Sequence, residues 1–204
     1  MSEYKAIHKY IPQQSIKLVE GLLNRYQFYL IIKNERKTKH GDFRPLPNGR
    51  MQITINNDVN RYRFLITLIH EIAHLVTHKK YKRVKPHGIE WKISFQHLML
   101  PFLNLDIFPN DILPILANYM RNPKASTDSD IHLSLALKQY DEKSNKNYIF
   151  EIPLNGKFIH DNRLFIRGKK RRIKYLCTEV KTKQQYLFHP TAEVNLVKKM
   201  ISDK

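Results

Sequence analysis

Five consecutive residues, His70-Glu71-Ile72-Ala73-His74, carry the strongest chemical signal in the chain. On a helix, residues four apart differ by about 40° in direction and about 6 Å in height, so both imidazoles can grip one ion from the same face. Glu71 lies about 100° round from His70, which puts its carboxylate beside the ion and outside the ligand shell. That is the equipment of metal-assisted hydrolysis. In such an arrangement the histidines are expected to hold one catalytic zinc, and Glu71 to take a proton from water as it attacks a carbonyl and to return it to the leaving group.

A catalytic zinc needs a third protein ligand and an open position for water. His78, His87, Glu90 and His97 are the candidates. His78 continues the same helix face but lies about 12 Å along it from His70, too far to share the ion. His87 follows a return loop of twelve residues after His74, long enough to bring the chain back over the helix, and Gly88 allows close backbone approach there. Glu90 shares a helical turn with His87 and stays open as an alternative, and so does His97.

The elements that must position these groups can be read from periodicity. Ile16, Val19, Leu22, Leu23 and Tyr26 recur at helical spacing within residues 13–27, and Phe28–Ile32 reads as a strand. Residues 33–50, with Gly41, Pro45, Pro47 and Gly49 among basic side chains, read as loop, and Met51–Asn56 as a β-branched strand. Residues 61–79 form a helix that is apolar almost all round, with Asp58 or Asn60 as its N-cap. A histidine or glutamate in such a buried helix is costly unless it is paired, so these residues need a reason. Trp91–Leu100, stopped by Pro101, and Asp111–Met120, with Pro114 in its first turn, are further helices.

The polar run Asn122–Asp130 reads as a domain boundary, which divides the chain into residues 1–125 and 126–204. Beyond it, Ile131–Leu137, Tyr148–Ile152, Leu164–Ile166, Ile173–Val180 and Tyr186–His189 read as short strands with hairpin turns at KSNKN and KTKQ. The fold class expected is therefore α+β, with a small C-terminal antiparallel β subdomain.

The chain has 204 residues and a formal net charge of +18, a field that recruits polyanions, nucleic acid first. The densest basic cluster is Lys169, Lys170, Arg171, Arg172 and Lys174, beside Phe165 and Tyr175, where cations could track a phosphate backbone and rings could stack on bases. The single cysteine, Cys177, rules out an internal disulfide. The first residues lack the apolar core of a signal peptide and no segment offers 18 uninterrupted apolar residues, so a cytoplasmic protein with no membrane partner is expected.

HEIAHLV followed by HGIEWK closely resembles the SprT family of zinc metallopeptidases, and RKTKHGDFR and MQITIN resemble that family's approach to its active-site helix. The likeness covers roughly residues 10 to 105. It implies a zincin-like domain in which the HExxH helix packs beside a small sheet, with His70, His74 and His87 as zinc ligands and Glu71 as general base and acid. Eukaryotic relatives of the Spartan type degrade proteins trapped on DNA, so the resemblance also implies a protein substrate and DNA as partner. Many members end in a zinc ribbon with two cysteine pairs. With only Cys177 present, a metal-free version held by Phe165, Ile173, Tyr175, Leu176, Tyr186 and Phe188 is expected, with Cys177 as a packed thiol. Two rival readings remain: a nucleic-acid-binding module whose metal is structural or vestigial, and a peptidase whose charge is incidental.

Overall fold

A computed structural model of the chain describes residues 5–36, 39–81, 83–141 and 146–197. The fold is mixed α+β and divides into two compact units, Met1–Glu142 and Lys143–Lys204. No helix among the described residues is long and apolar enough to cross a membrane.

The first unit opens with α1 (Ile16–Tyr26), then β1 (Tyr29–Lys33), β2 (Gly41–Pro45) and β3 (Met51–Asn56). The strands form a sheet in the order β1-β3-β2, with β1 parallel and β2 antiparallel to β3. β2 falls inside the stretch expected to be loop. Its Gly and Pro mark the strand's two ends, and pairing Phe43 with Ile53 satisfies backbone groups that a loop would give to water. The central strand buries Ile53 and Ile55, while Arg36 answers its buried polar side chains by donating to Asn56 Oδ1 at 2.7 Å and Thr54 Oγ1 at 2.9 Å.

α2 (Arg61–Lys80) runs through the core, burying every residue from Phe64 to Ile69. Asn60 is its N-cap: Oδ1 accepts from the N–H groups of Tyr62 and Arg63, and Nδ2 donates to the Leu137 carbonyl at 2.8 Å. His78, Lys79 and Lys80 fill the last turn, where positive charge complements the helix dipole. α3 (Ile89–Met99) packs on α2 through Trp91 and Phe95, both buried, and α4 (Leu113–Met120) follows.

Two expectations are corrected here. Ile131–Leu137 is not a strand; it lies in helix α5 (Ile131–Lys138), capped by Asp130 Oδ1 accepting from the Leu133 N–H at 3.1 Å. The run IHLSLAL fits both periods, and the buried residues Leu133, Ala136 and Leu137 follow the helical one, i, i+3, i+4, into the first unit's core. The boundary expected at residue 125 therefore moves to residue 142. The polar run 122–130 stays inside the first unit, where its polarity is spent on hydrogen bonds and ion pairs within the protein.

The second unit is an antiparallel sheet in the order β4-β9-β5-β6-β7-β8. Its strands are β4 (Asn147–Tyr148), β5 (Lys157–His160), β6 (Arg163–Arg171), β7 (Lys174–Glu179), β8 (Gln185–Phe188) and β9 (Glu193–Leu196). The expected strand at Tyr148–Ile152 is shorter, since Ile149–Glu151 turns into a 3-10 helix. Most of the KSNKN turn lies outside the described residues. Phe158, Phe165, Tyr175, Cys177 and Val194 are buried, with Tyr186 and Phe188 packed against them. Ile173 is not among them: it sits 64% exposed at a hairpin tip, and Leu176 alternates onto the opposite face of β7. Cys177 is fully buried, and burial pushes its thiol up.

Candidate metal centre

His70 and His74 project from adjacent turns of α2, and His87 reaches them from the loop before α3. Pro86 and His87 occupy the centre of a turn closed by the Gly88 N–H donating to the Lys85 carbonyl at 2.8 Å. His87 has φ 56°, a left-handed conformation that glycine or asparagine usually supplies. The chain accepts that local cost where it brings a third imidazole to the first two.

The three Nε2 atoms converge. They stand 3.1 Å apart for His70 and His74, 3.0 Å for His74 and His87, and 3.2 Å for His70 and His87. A neutral imidazole has one N–H, so three such nitrogens cannot satisfy one another as donors and acceptors. Nitrogens bound tetrahedrally to one zinc at about 2.0–2.1 Å would lie about 3.3 Å apart, so the donor set fits that ion in both chemistry and spacing. Among the described residues this is the one cluster of three or more potential ligands. Burial, with His74 and His87 adding, holds His70 well below the usual histidine range. Burial and His87 bring His74 down to about 4, and burial lowers His87. The rings are thus neutral near pH 7, with lone pairs available to a cation.

Trp91 supports the cluster. Its ring centroid lies 4.6 Å from His70, 5.3 Å from His74 and 4.6 Å from His87, and its indole N–H donates to the His70 carbonyl at 3.4 Å. The other candidates lie apart from the cluster. His78 is exposed at the end of α2 against Phe43, His97 is exposed on α3, and Glu90 is half-buried beside Gly88.

Glu71 is only 7% exposed, with β2 lying over it. Burial, with the Asp42 carboxylate adding, pushes its carboxyl up to about 8, although the Phe43 N–H donates to it. A pocket of about 240 Å³ opens beside His70 and Glu71. Arg36, Lys39, His40 and Gly41 line it, as do Ile66 and Thr67 of α2 and residues 125–128. His40 Nε2 lies 2.7 Å from Asp128 Oδ2, and the other carboxylate oxygen accepts from Arg63 Nη1 at 2.5 Å. Periodicity gave no sign of this wall, because its polar segment had the composition of a linker.

The basic cluster of the second unit is a single hairpin. Lys169, Lys170 and Arg171 close β6, Arg172 turns at φ 54°, and Lys174 opens β7, all exposed. Arg167 lies over the Tyr175 ring at 4.2 Å. At Gly168 an added Cβ would stand 2.3 Å from the Leu176 carbonyl, so β7 passes too close there for any side chain, beside the bulge between Arg167 and Lys170.

No solved structure matches the chain significantly. The model of the SprT-like family matches residues 25–107, a span that runs from the end of α1 past α3. Together with the motif and the convergence of the imidazoles, that match shows that the chain carries a SprT-like domain, with His70, Glu71, His74 and His87 all inside it.

Proposed function

We propose that the first unit is a zinc-dependent metallopeptidase of the SprT type, with a zincin-like active site. His70, His74 and His87 are its ligands for one ion and Glu71 is its general base. The observation that carries this reading is the convergence of three imidazole Nε2 atoms next to a buried carboxylate at the edge of a pocket. A purely structural metal site would not need that carboxylate, nor an opening beside it.

When bound, the ion supplies Lewis acidity: it acidifies a water, draws electron density from a carbonyl oxygen, and favours the ionised form of the neighbouring Glu71. The chain's own residues do the rest. The pocket admits the peptide next to Glu71. The Phe43 N–H and the close packing of β2 hold the carboxylate in one place, so it takes a proton from the attacking water and delivers it to the departing amine. Trp91 keeps the three imidazoles in register from below.

The exposed hairpin of Lys169, Lys170, Arg171, Arg172 and Lys174, with a net charge of +18 behind it, supports DNA as the partner that presents the protein substrate, in a cytoplasmic setting. The same hairpin would serve a binding module without turnover, and the second unit's sheet stands in this reading as a metal-free relative of the zinc ribbon. A proteolysis assay with and without DNA, comparing wild type with Glu71→Gln, separates the readings. Cleavage of a DNA-bound protein that Glu71→Gln abolishes supports the peptidase. DNA binding with no Glu71-dependent cleavage rules it out in favour of the module.

A further inference from the structure

His40 lines the same pocket as His70 and Glu71 but takes no part in the histidine cluster. Its Nε2 is held 2.7 Å from Asp128 Oδ2. Asp128 in turn is fixed from three sides: its Oδ1 accepts from Arg63 Nη1 at 2.5 Å, its N–H donates to Ser126 Oγ at 3.1 Å, and its other oxygen faces His40. Arg63 is 4% exposed, on the first turn of α2. A guanidinium so buried is costly unless its partner is charged and well placed, so the pairing of core Arg63 with Asp128 on the pocket wall is a built feature of the fold. The backbone of His40 is anchored as well, its carbonyl accepting from the Asn56 N–H at 2.8 Å.

The other cations on the pocket wall are committed elsewhere. Arg36 donates through Nε, Nη1 and Nη2 to Asn56 and Thr54, and Lys39 Nζ donates to Asp42 Oδ1 at 2.8 Å. His40 has one ring nitrogen on Asp128 and a second one left, on a side chain that is 33% exposed. A carboxylate on one nitrogen fixes the orientation of an imidazole and directs the other nitrogen to its target. In the doubly protonated ring both nitrogens donate.

We propose that His40 donates a hydrogen bond to the substrate's carbonyl oxygen as negative charge develops on it, with Asp128 and Arg63 as its positioning residues. This rests on the peptidase reading above and supplies what that reading lacks, a preorganised donor on the wall of the pocket. It also explains why the polar run 125–128 folds back onto α2: that segment carries the carboxylate which orients His40.

The test measures kcat and KM on a peptide cleaved by the wild type, together with zinc content, thermal midpoint and affinity for a phosphonamidate peptide. The tetrahedral, charged phosphoryl group of that peptide mimics the developing oxyanion. His40→Ala should keep its zinc, lose about 10²- to 10³-fold in kcat with KM changed by less than about threefold, and bind the phosphonamidate correspondingly less tightly. His40→Gln, which keeps a donor, should recover part of the loss. Asp128→Asn should cost less than His40→Ala and add nothing in the His40→Ala background, because it acts only through that ring.

Wild-type kcat in His40→Ala, or a loss confined to KM or to the thermal midpoint, overturns the proposal and leaves the peptidase reading standing, provided Glu71→Gln is inactive. If His40→Ala does not fold, the same criteria apply to His40→Leu, which keeps the bulk of the side chain but has no donor. Wild-type protein that cleaves no better than Glu71→Gln overturns both.

Discussion

Gly41 and Glu71 are packed so closely that a Cβ on Gly41 would stand 2.7 Å from Glu71 Oε1, and equally 2.7 Å from Thr67 Cγ2. β2 can lie over the buried carboxylate only because that position has no side chain. Gly41→Ala should therefore push the strand or the carboxylate aside, costing about 1–3 kcal/mol of stability. Metal binding should be retained while cleavage falls at least about tenfold, since a small misplacement of a base is enough to lose that much. Denaturant unfolding, zinc analysis and peptide cleavage on one preparation check it. Full activity in Gly41→Ala would show that Glu71 does not need β2 to hold it.

The three converging imidazoles lead to a metal prediction. Purified protein should carry about one equivalent of zinc per chain, and removing it should lower the thermal midpoint, because an ion that binds only the folded state stabilises it. His74→Ala and His87→Ala should each lose the ion, whereas His97→Ala, on an exposed residue away from the cluster, should keep it. Metal analysis after dialysis reads this directly. Retention of a full equivalent in His87→Ala would transfer the third position to another residue.

Asp128 makes stability depend on acid. Burial would raise its carboxyl, but the His40 hydrogen bond and the Arg63 charge outweigh burial and hold it well below the usual carboxylate range. A carboxyl depressed in the folded state contributes stability that is present above its unfolded value of 3.8 and is lost as pH falls through the folded one. The stability gap between wild type and Asp128→Asn should thus be constant above about pH 5 and shrink below about pH 4. Chemical denaturation across that range measures it; a gap that widens on acidification would contradict the pairing.

The exposed hairpin predicts salt-dependent binding to DNA. Affinity should fall linearly with the logarithm of salt concentration, and each of Lys169→Ala, Lys170→Ala, Arg171→Ala and Lys174→Ala should reduce the slope by about one if that side chain meets a phosphate. All four lie on exposed positions, so the thermal midpoint should stay close to wild type. A flat salt dependence, or slopes unchanged in all four variants, would remove the hairpin from the interface.

The sequence alone determined the parts of this site that depend on short-range geometry. Two histidines four apart on one buried helix share a face, with the glutamate beside it, because an α-helix repeats every 3.6 residues, whatever surrounds it. His87 was legible as one candidate among several, since a twelve-residue loop is long enough to bring it back over the helix, and the likeness of HGIEWK to the SprT family singled it out. Tertiary structure decided the rest. Gly41 meets Glu71, His40 meets Asp128 across 88 residues of chain, and Arg63 meets Asp128 across 65. None of these pairs leaves a periodic trace, because contacts between distant segments depend on how whole elements pack. IHLSLAL and the polar run before it meet the same limit. IHLSLAL satisfies both the helical and the strand period until a core chooses between them. The polar run has the composition of a linker, and contacts with distant segments make it part of the domain, among them a buried arginine and a pocket histidine packed against its aspartate.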